Sequence, residues 1–244
     1  MNKDIYELLD IINNNGYNAY VVGGFVRDYI WGLENKDVDI VTNAPSKLIL
    51  DIFSLYKPHI FKNETIKFNY GEYTVDIAHL RKEEFADGKT TITFTDELKE
   101  DYLRRDLTFN AIYMDKDGRL YEFGTSLIDC NGRKLKFINN AASKCKEDPT
   151  RFLRAIYYIL KYNLKDYRDL DEVVFNQLDF DSCDINALNK VIYKILKLDD
   201  NKKFVNLLVK YNIYDFLFKN KTLNYDVKPL DFLRNNEYIF IDSI

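Results

Sequence analysis

Two adjacent glycines set between an apolar run and an amphipathic one, Val21-Val22-Gly23-Gly24-Phe25-Val26-Arg27-Asp28, constrain this chain more than any other feature. Glycine admits positive φ and lets backbone amides approach an anion, and a helix starting at the second glycine adds a favourable dipole for phosphate. Further on comes Lys36-Asp37-Val38-Asp39-Ile40, where a period of two puts both carboxylates on one face of a strand. The segment between suffices for one short helix and a return, so the glycine turn and the acidic strand are expected side by side at one edge of a sheet. Alone, a Gly-Gly pair is most often a turn and an Asp-x-Asp a solvated face. In this order and spacing they read as half of a nucleotide site. Two hard oxygen ligands suit Mg2+, which keeps waters and takes further ligands from substrate phosphates. Asp76, in Thr74-Val75-Asp76-Ile77, is a third carboxylate able to reach the same face.

The texture of the chain changes near Asn140. Residues 1–140 alternate helical and strand patterns, and residues 141–244 read almost wholly helical, which predicts an α+β domain followed by a helical one. In the first part, helices are expected over 2–14, 25–32 and from 46 to about 55, with strands over 19–22 and 36–42. Residues 60–68 and 72–80 form a hairpin around Asn69-Tyr70-Gly71, and 107–114 and 119–123 form another around Lys116-Asp117-Gly118. Residues 81–95 read as polar and irregular, followed by a short helix over Glu97 to Leu103 capped by Thr95 or Asp96. Beyond Asp148, helical spacing covers Phe152 to Ile159, Val173 to Leu178, Ile185 to Leu198, Lys203 to Tyr211 and Tyr214 to Phe218.

Composition narrows the chemistry. The cysteines Cys130, Cys145 and Cys183 show no C-x-x-C spacing and the histidines His59 and His79 lie far from them, so zinc is not expected and carboxylates must carry any catalysis. The net charge of -4 argues against a protein that coats nucleic acid over its whole surface. No stretch approaches the ~20 apolar residues of a membrane span, and the acidic residues Asp4, Glu7 and Asp10 make the opening segment unlike a secretory or transit peptide, so a cytoplasmic protein is expected.

Two further blocks complete a pattern. Arg104-Arg105-Asp106-Leu107-Thr108-Phe109-Asn110-Ala111 follows the acidic strand, and Glu147-Asp148-Pro149-Thr150-Arg151-Phe152-Leu153-Arg154-Ala155 opens the helical part. With the glycine pair and Asp37-Val38-Asp39, these four ordered blocks resemble the class II tRNA nucleotidyltransferase and bacterial poly(A) polymerase family, over roughly residues 15–165. The resemblance implies a polymerase-beta-like nucleotidyltransferase head with a small mixed sheet, followed by an all-helical neck that selects the nucleotide base at its start. It implies that Asp37 and Asp39 bind two Mg2+ ions, assisted by Asp76, for attack of an RNA 3′-hydroxyl on CTP or ATP with release of pyrophosphate. Gly23, Gly24 and Arg27 would hold phosphates, with Asp28 in support. Asp106 would contact the ribose 2′-hydroxyl, with Arg105 and Asn110 supporting the triphosphate and Arg104 beside them. On one helix face, three residues apart, Asp148 and Arg151 would read the Watson-Crick edge of the base, with Glu147 and Arg154 supporting the pair and the triphosphate.

The implied activity is CCA-adding or A-adding transfer to the 3′ end of tRNA. The alternatives are a poly(A) polymerase with the same head, or a catalytically idle RNA-binding regulatory module. The segment Leu80 to Thr90 resembles the family's flexible loop. Tyr121 to Asp129 departs from the family pattern, keeping Asp129 with Glu122 near the first acidic position. Members usually carry helices well beyond this length that hold tRNA, so a homodimer is one expected way to complete the RNA surface.

Overall fold

The computed structural model describes residues 3–61, 64–86, 89–198 and 201–213. The chain divides into two compact units, Met1–Arg133 and Lys134–Ile244, a division slightly N-terminal to the change of texture near Asn140.

The first unit opens with helix α1 (Lys3–Asn14). Its residues Ile5, Leu8, Leu9 and Ile12 follow helical spacing and are fully buried, each contributing roughly 1.5–3 kcal/mol relative to exposure. Gly16 at φ 88° ends the helix. Strand β1 (Ala19–Val22), helix α2 (Gly24–Ile30) and strand β2 (Asp37–Thr42) follow where the periodicity put them. Next come α3 (Ser46–Ile52), β3 (His59–Ile60), β4 (Ile66–Tyr70) and β5 (Tyr73–His79). The β4–β5 turn is a hairpin in which Tyr70 pairs with Tyr73. Strands β8 (Tyr113–Met114) and β9 (Leu120–Tyr121) and helix α5 (Ser126–Asn131) close the unit. Among the described residues the main sheet runs β3-β4-β5-β2-β1-β8-β9. It is mixed: β2 and β5 are parallel, and β1 is antiparallel to β2 and β8. This is the α+β fold with a small mixed sheet that the sequence implied.

Two expectations are corrected here. Residues 81–95 are not irregular: β6 (Arg81–Ala86) and β7 (Lys89–Phe94) form a separate antiparallel ribbon from Arg81↔Phe94 to Ala86↔Lys89. The signals are the β-branched run Thr90-Thr91-Ile92-Thr93 and an intervening Asp87-Gly88, a typical two-residue hairpin pair. Asp87 and Gly88 themselves lie outside the described residues. The second correction concerns 107–114, where Thr108–Asn110 form a 3-10 turn and only Tyr113–Met114 pair as a strand. All of 107–114 is buried, and a run buried on every side has no period from which to read its conformation. Helix α4 (Leu98–Arg104) precedes it; the Thr95 hydroxyl accepts from the Glu97 amide at 3.2 Å.

The second unit contains α6 (Ala141–Glu147), α7 (Thr150–Lys161), α8 (Ile185–Leu196) and α9 (Asn201–Lys210). Asn140 caps α6 through Ser143 N (2.8 Å), and Asp184 caps α8 through Asn186 N (2.9 Å). Phe152 of α7 packs its ring against Phe175 and Tyr211 at 5.3 and 5.4 Å. Lys203 of α9 donates to the carbonyls of Ile159 and Leu164, both at 3.1 Å, which satisfies acceptors at the end of α7. The helix expected over Val173 to Leu178 is replaced by short 3-10 segments, Arg168–Glu172, Phe175–Gln177 and Phe180–Ser182. A run this short, bounded by Asp171 and Asp179, does not offset the cost of nucleating an α-helix. The expected helix Tyr214 to Phe218 lies outside the described residues.

Candidate active site

The glycine turn and the acidic strand meet as their spacing demands. Val22 pairs with Asp39 across β1 and β2, so Gly23 begins its turn directly beside that carboxylate. Gly23 has φ 80°, and a Cβ there would lie 3.0 Å from Asp39 Oδ2. Glycine is thus required both for the backbone conformation and for the close approach. Across the parallel β2–β5 pair, Asp39 stands opposite Asp76 and Asp37 opposite Thr74. Asp37, Asp39 and Asp76 therefore share one face of the sheet, with Asp39 and Asp76 one strand spacing of ~4.8 Å apart.

Like charges and crowding set the electrostatics. Asp39 is exposed as a residue, yet enough of the chain surrounds its carboxyl that desolvation raises its pKa to about 6; Arg105 and Lys67 lower it while Asp76 and Asp37 add to the rise. Lys67 of β4 donates to Asp76 Oδ2 at 3.0 Å, and Asp76 Oδ1 is buried without a hydrogen-bond partner. Among the described residues, no three acidic, histidine or cysteine side chains converge closely enough to cage a metal ion by themselves. Mg2+ is commonly held by one or two carboxylates with waters and substrate phosphates. A pair of mutually repelling carboxylates beside an unpartnered carboxylate oxygen fits that mode.

Arg27 occupies a different place from the one expected of a phosphate ligand. It is 3% exposed, donates through Nε to Asp28 Oδ1 at 2.8 Å and through Nη1 to Asn110 Oδ1 at 2.6 Å. Its guanidinium lies 5.5 Å from the Trp31 ring centroid and 6.0 Å from that of Phe109. Arg27, Asp28 and Asn110 thus brace the floor under the glycine turn. Asn35, missed in the sequence, extends the brace: it donates to Asp28 Oδ2 at 2.7 Å and accepts from the Asp37 amide at 2.9 Å. A Cβ at Gly24 would sit 3.4 Å from Arg27 Nη2 and 3.5 Å from Asn35 Nδ2.

Arg104 and Arg105 converge on Asp101, also missed. Its i, i+3, i+4 relation to the two arginines on one helical turn was the available signal. Burial pushes the Asp101 carboxyl up, and the charges and hydrogen bonds of Arg105 and Arg104 overcome this and hold it below the usual range. Arg104 also reaches Glu83 of β6 at 3.5 Å. Asp106 is partly exposed and accepts from the Leu107 amide at 2.9 Å. Asp129 accepts from the Thr125 hydroxyl at 2.6 Å, and Glu122 from the Leu127 amide at 3.3 Å, so both brace α5.

In the second unit, the sharing of one helix face by Asp148 and Arg151 needs correction. Asp148 lies before α7 in an extended conformation (φ −148°, ψ 99°) and its Oδ1 accepts from Thr150 N at 2.9 Å and from the Thr150 hydroxyl at 2.6 Å. Pro149 cannot donate and favours the first turn of a helix, which leaves Asp148 as a capping residue. Arg154 reaches Asp148 Oδ2 at 3.3 Å. Arg151 is 9% exposed; its Nη1 donates to Glu147 Oε2 at 2.5 Å and to Lys144 O at 3.1 Å, and its Nε is 4.0 Å from Asp148 Oδ2. Glu147, Asp148, Arg151 and Arg154 still form one cluster.

Comparison with known proteins places the chain in a family. Residues 19–136 match the poly A polymerase head domain family. The CCA-adding enzyme of Staphylococcus aureus (strain MRSA252) is 31% identical over 207 residues, 81% of this chain and 51% of that enzyme. The Bacillus stearothermophilus CCA-adding enzyme in complex with CTP superposes with a TM-score of 0.72 at 22% identity, covering 85% of this chain and 52% of that one. A tRNA nucleotidyltransferase complexed with a primer tRNA and an incoming ATP analogue gives a TM-score of 0.72 at 26% identity, over 88% of this chain and 63% of that one. This chain spans about half the length of the CCA-adding enzymes it matches. With the head domain over residues 19–136, the ordered motifs and the shared fold, it belongs to the class II tRNA nucleotidyltransferase and bacterial poly(A) polymerase family.

Proposed function

We propose that this protein is a template-independent nucleotidyltransferase that transfers CMP and AMP from CTP and ATP to the 3′ end of tRNA. The observation that carries this reading is the register of Asp39 against Asp76, with Asp37 on the same face and the Gly23 turn pressed against Asp39. In the reaction, the RNA 3′-oxygen forms a bond to the α-phosphorus, loses its proton, and pyrophosphate leaves. Asp37 and Asp39 would hold two Mg2+ ions, whose chemistry is to lower the pKa of the attacking hydroxyl and to neutralise charge on the leaving pyrophosphate. Asp76, tethered by Lys67, adds negative charge beside Asp39. The Arg27–Asp28–Asn110 brace keeps the turn in place before substrate arrives.

Base choice would fall to Asp148 and Arg151, which offer a carboxylate acceptor and guanidinium donors. Glu147 and Arg154 hold each of them in place. Asp106 would discriminate ribose, and Arg105 would meet the triphosphate. No helix among the described residues is long and apolar enough to cross a membrane.

The test is nucleotide incorporation into tRNA lacking its last one, two or three nucleotides, with each NTP supplied singly. One to three residues from CTP and ATP are expected, and none with Asp37→Ala or Asp39→Ala. Long adenylate tails would point instead to a poly(A) polymerase. Absence of incorporation by metal-replete protein would leave an idle RNA-binding module. The same preparation tests the proposed homodimer by light scattering with and without tRNA.

A further inference from the structure

Asp101 of α4 has no exposed surface. Its two oxygens are divided between two arginines. Oδ1 accepts from Nε and Nη2 of Arg104, both at 2.7 Å. Oδ2 accepts from Nε and Nη2 of Arg105, both at 2.8 Å, and from the Tyr113 hydroxyl at 2.9 Å. The Tyr113 oxygen in turn accepts from Arg105 Nε at 3.2 Å. One buried carboxylate thus grips two guanidiniums by the same edge, leaving an excess of positive charge.

The place of this network in the sheet gives it a purpose. Val21 pairs with Met114 across β1 and β8, which sets Tyr113 beside Val22; Val22 pairs with Asp39, and Asp39 with Asp76. Residues in such a row share a face. Tyr113 therefore stands on the face of the acidic centre, two strand spacings or ~10 Å from Asp39. A buried charge cluster is weak evidence for stability, since apolar residues of similar volume often serve equally well. Holding cations still before a polyanion arrives, by contrast, removes side-chain ordering from the binding step.

We propose that Asp101 is a positioning residue, assisted by Tyr113, that fixes Arg105 with Arg104 beside it as a cationic grip for the triphosphate bound at the carboxylate strand. The role rests on the nucleotidyl-transfer reading. One further observation supports it: Arg104 continues to Glu83 of the β6–β7 ribbon at 3.5 Å, so the network is tied down on its other side as well.

The experiment measures binding of CTP with Mg2+ to the full chain by calorimetry, with a thermal melt of each variant. Asp101→Asn is expected to weaken CTP at least tenfold. The double variant Asp101→Asn/Arg105→Met should lose clearly less than the sum of the two single losses, because Asp101 acts chiefly through Arg105. Tyr113→Phe removes only the hydroxyl and should weaken CTP two- to fivefold with little change in melting; it takes the place of Asp101→Asn in the cycle if that variant does not fold. In incorporation assays the loss should fall on KM for CTP and leave KM for tRNA unchanged. Additive losses in the cycle, or CTP bound as tightly by Asp101→Asn or the Tyr113→Phe substitute as by wild type, overturn the role while leaving nucleotidyl transfer intact. CTP binding with the expected pattern but no incorporation removes the enzyme reading and keeps the grip. No CTP binding by wild type overturns both.

Discussion

Replacing Asp39 by Asn should stabilise the metal-free protein while abolishing the proposed nucleotidyl transfer. In the fold the Asp39 carboxyl is raised from 3.8 to about 6, first by desolvation, with Asp76 and Asp37 adding to the rise. An acid whose folded pKa lies above its unfolded value favours the unfolded chain once it ionises, so the penalty is absent below about pH 4 and complete above about pH 6. At 1.36 kcal/mol per tenfold change, that rise sets a ceiling of about 3 kcal/mol. Because Asp39 remains exposed on one side, solvent screening reduces this to about 1 kcal/mol. In a chain of this size 1 kcal/mol shifts the melting temperature by about 2–4 °C. Melts of wild type and Asp39→Asn without divalent ions should therefore show the variant higher by that amount at pH 7.5, with the gap contracting to about half by pH 5. Added Mg2+ should raise the wild-type melting temperature and leave the variant unmoved. A variant that melts at or below wild type at pH 7.5, or a gap that does not narrow on acidification, would refute the electrostatic reasoning.

Gly23→Ala combines positive φ with a contact against Asp39; a loss of about 1–3 kcal/mol is expected, and incorporation should fall further than the folded fraction does. Unchanged activity in this variant would contradict the close approach. Arg27→Met strips a buried partner from Asp28 and Asn110, and chemical denaturation should register a loss of about 3–5 kcal/mol; a change below 1 kcal/mol would mean the brace is dispensable. Asp148→Ala removes the carboxylate that contacts both Thr150 and Arg154. Single-NTP incorporation should then show reduced preference for CTP and ATP over UTP and GTP, and retained preference would exclude Asp148 from base reading.

The locally encoded parts of the fold were legible because each has its own physical signature. The buried faces of α1 and α7 follow helical spacing, the alternation of β2 exposes Asp37 and Asp39 and buries Val38 and Ile40, and the Gly23 turn has the positive φ that its residue type announces. The β6–β7 ribbon was missed because two-stranded, largely exposed strands carry no apolar alternation. The 107–114 segment was misread because uniform burial erases the period. Val173 to Leu178 is too short a pattern to separate a helix from successive 3-10 turns.

The same division runs through the site. Residue order and local periodicity determined which carboxylates share a strand face and that glycine must precede them, since a period of two and a backbone dihedral are properties of a few consecutive residues. Tertiary structure alone decided that Asp76 stands in register with Asp39, that Arg27 turns inward to Asn110, and that Tyr113 joins Asp101 and its two arginines. Register, burial and the choice among several possible ion-pair partners depend on groups brought together from distant parts of the chain, so they are set by packing as a whole.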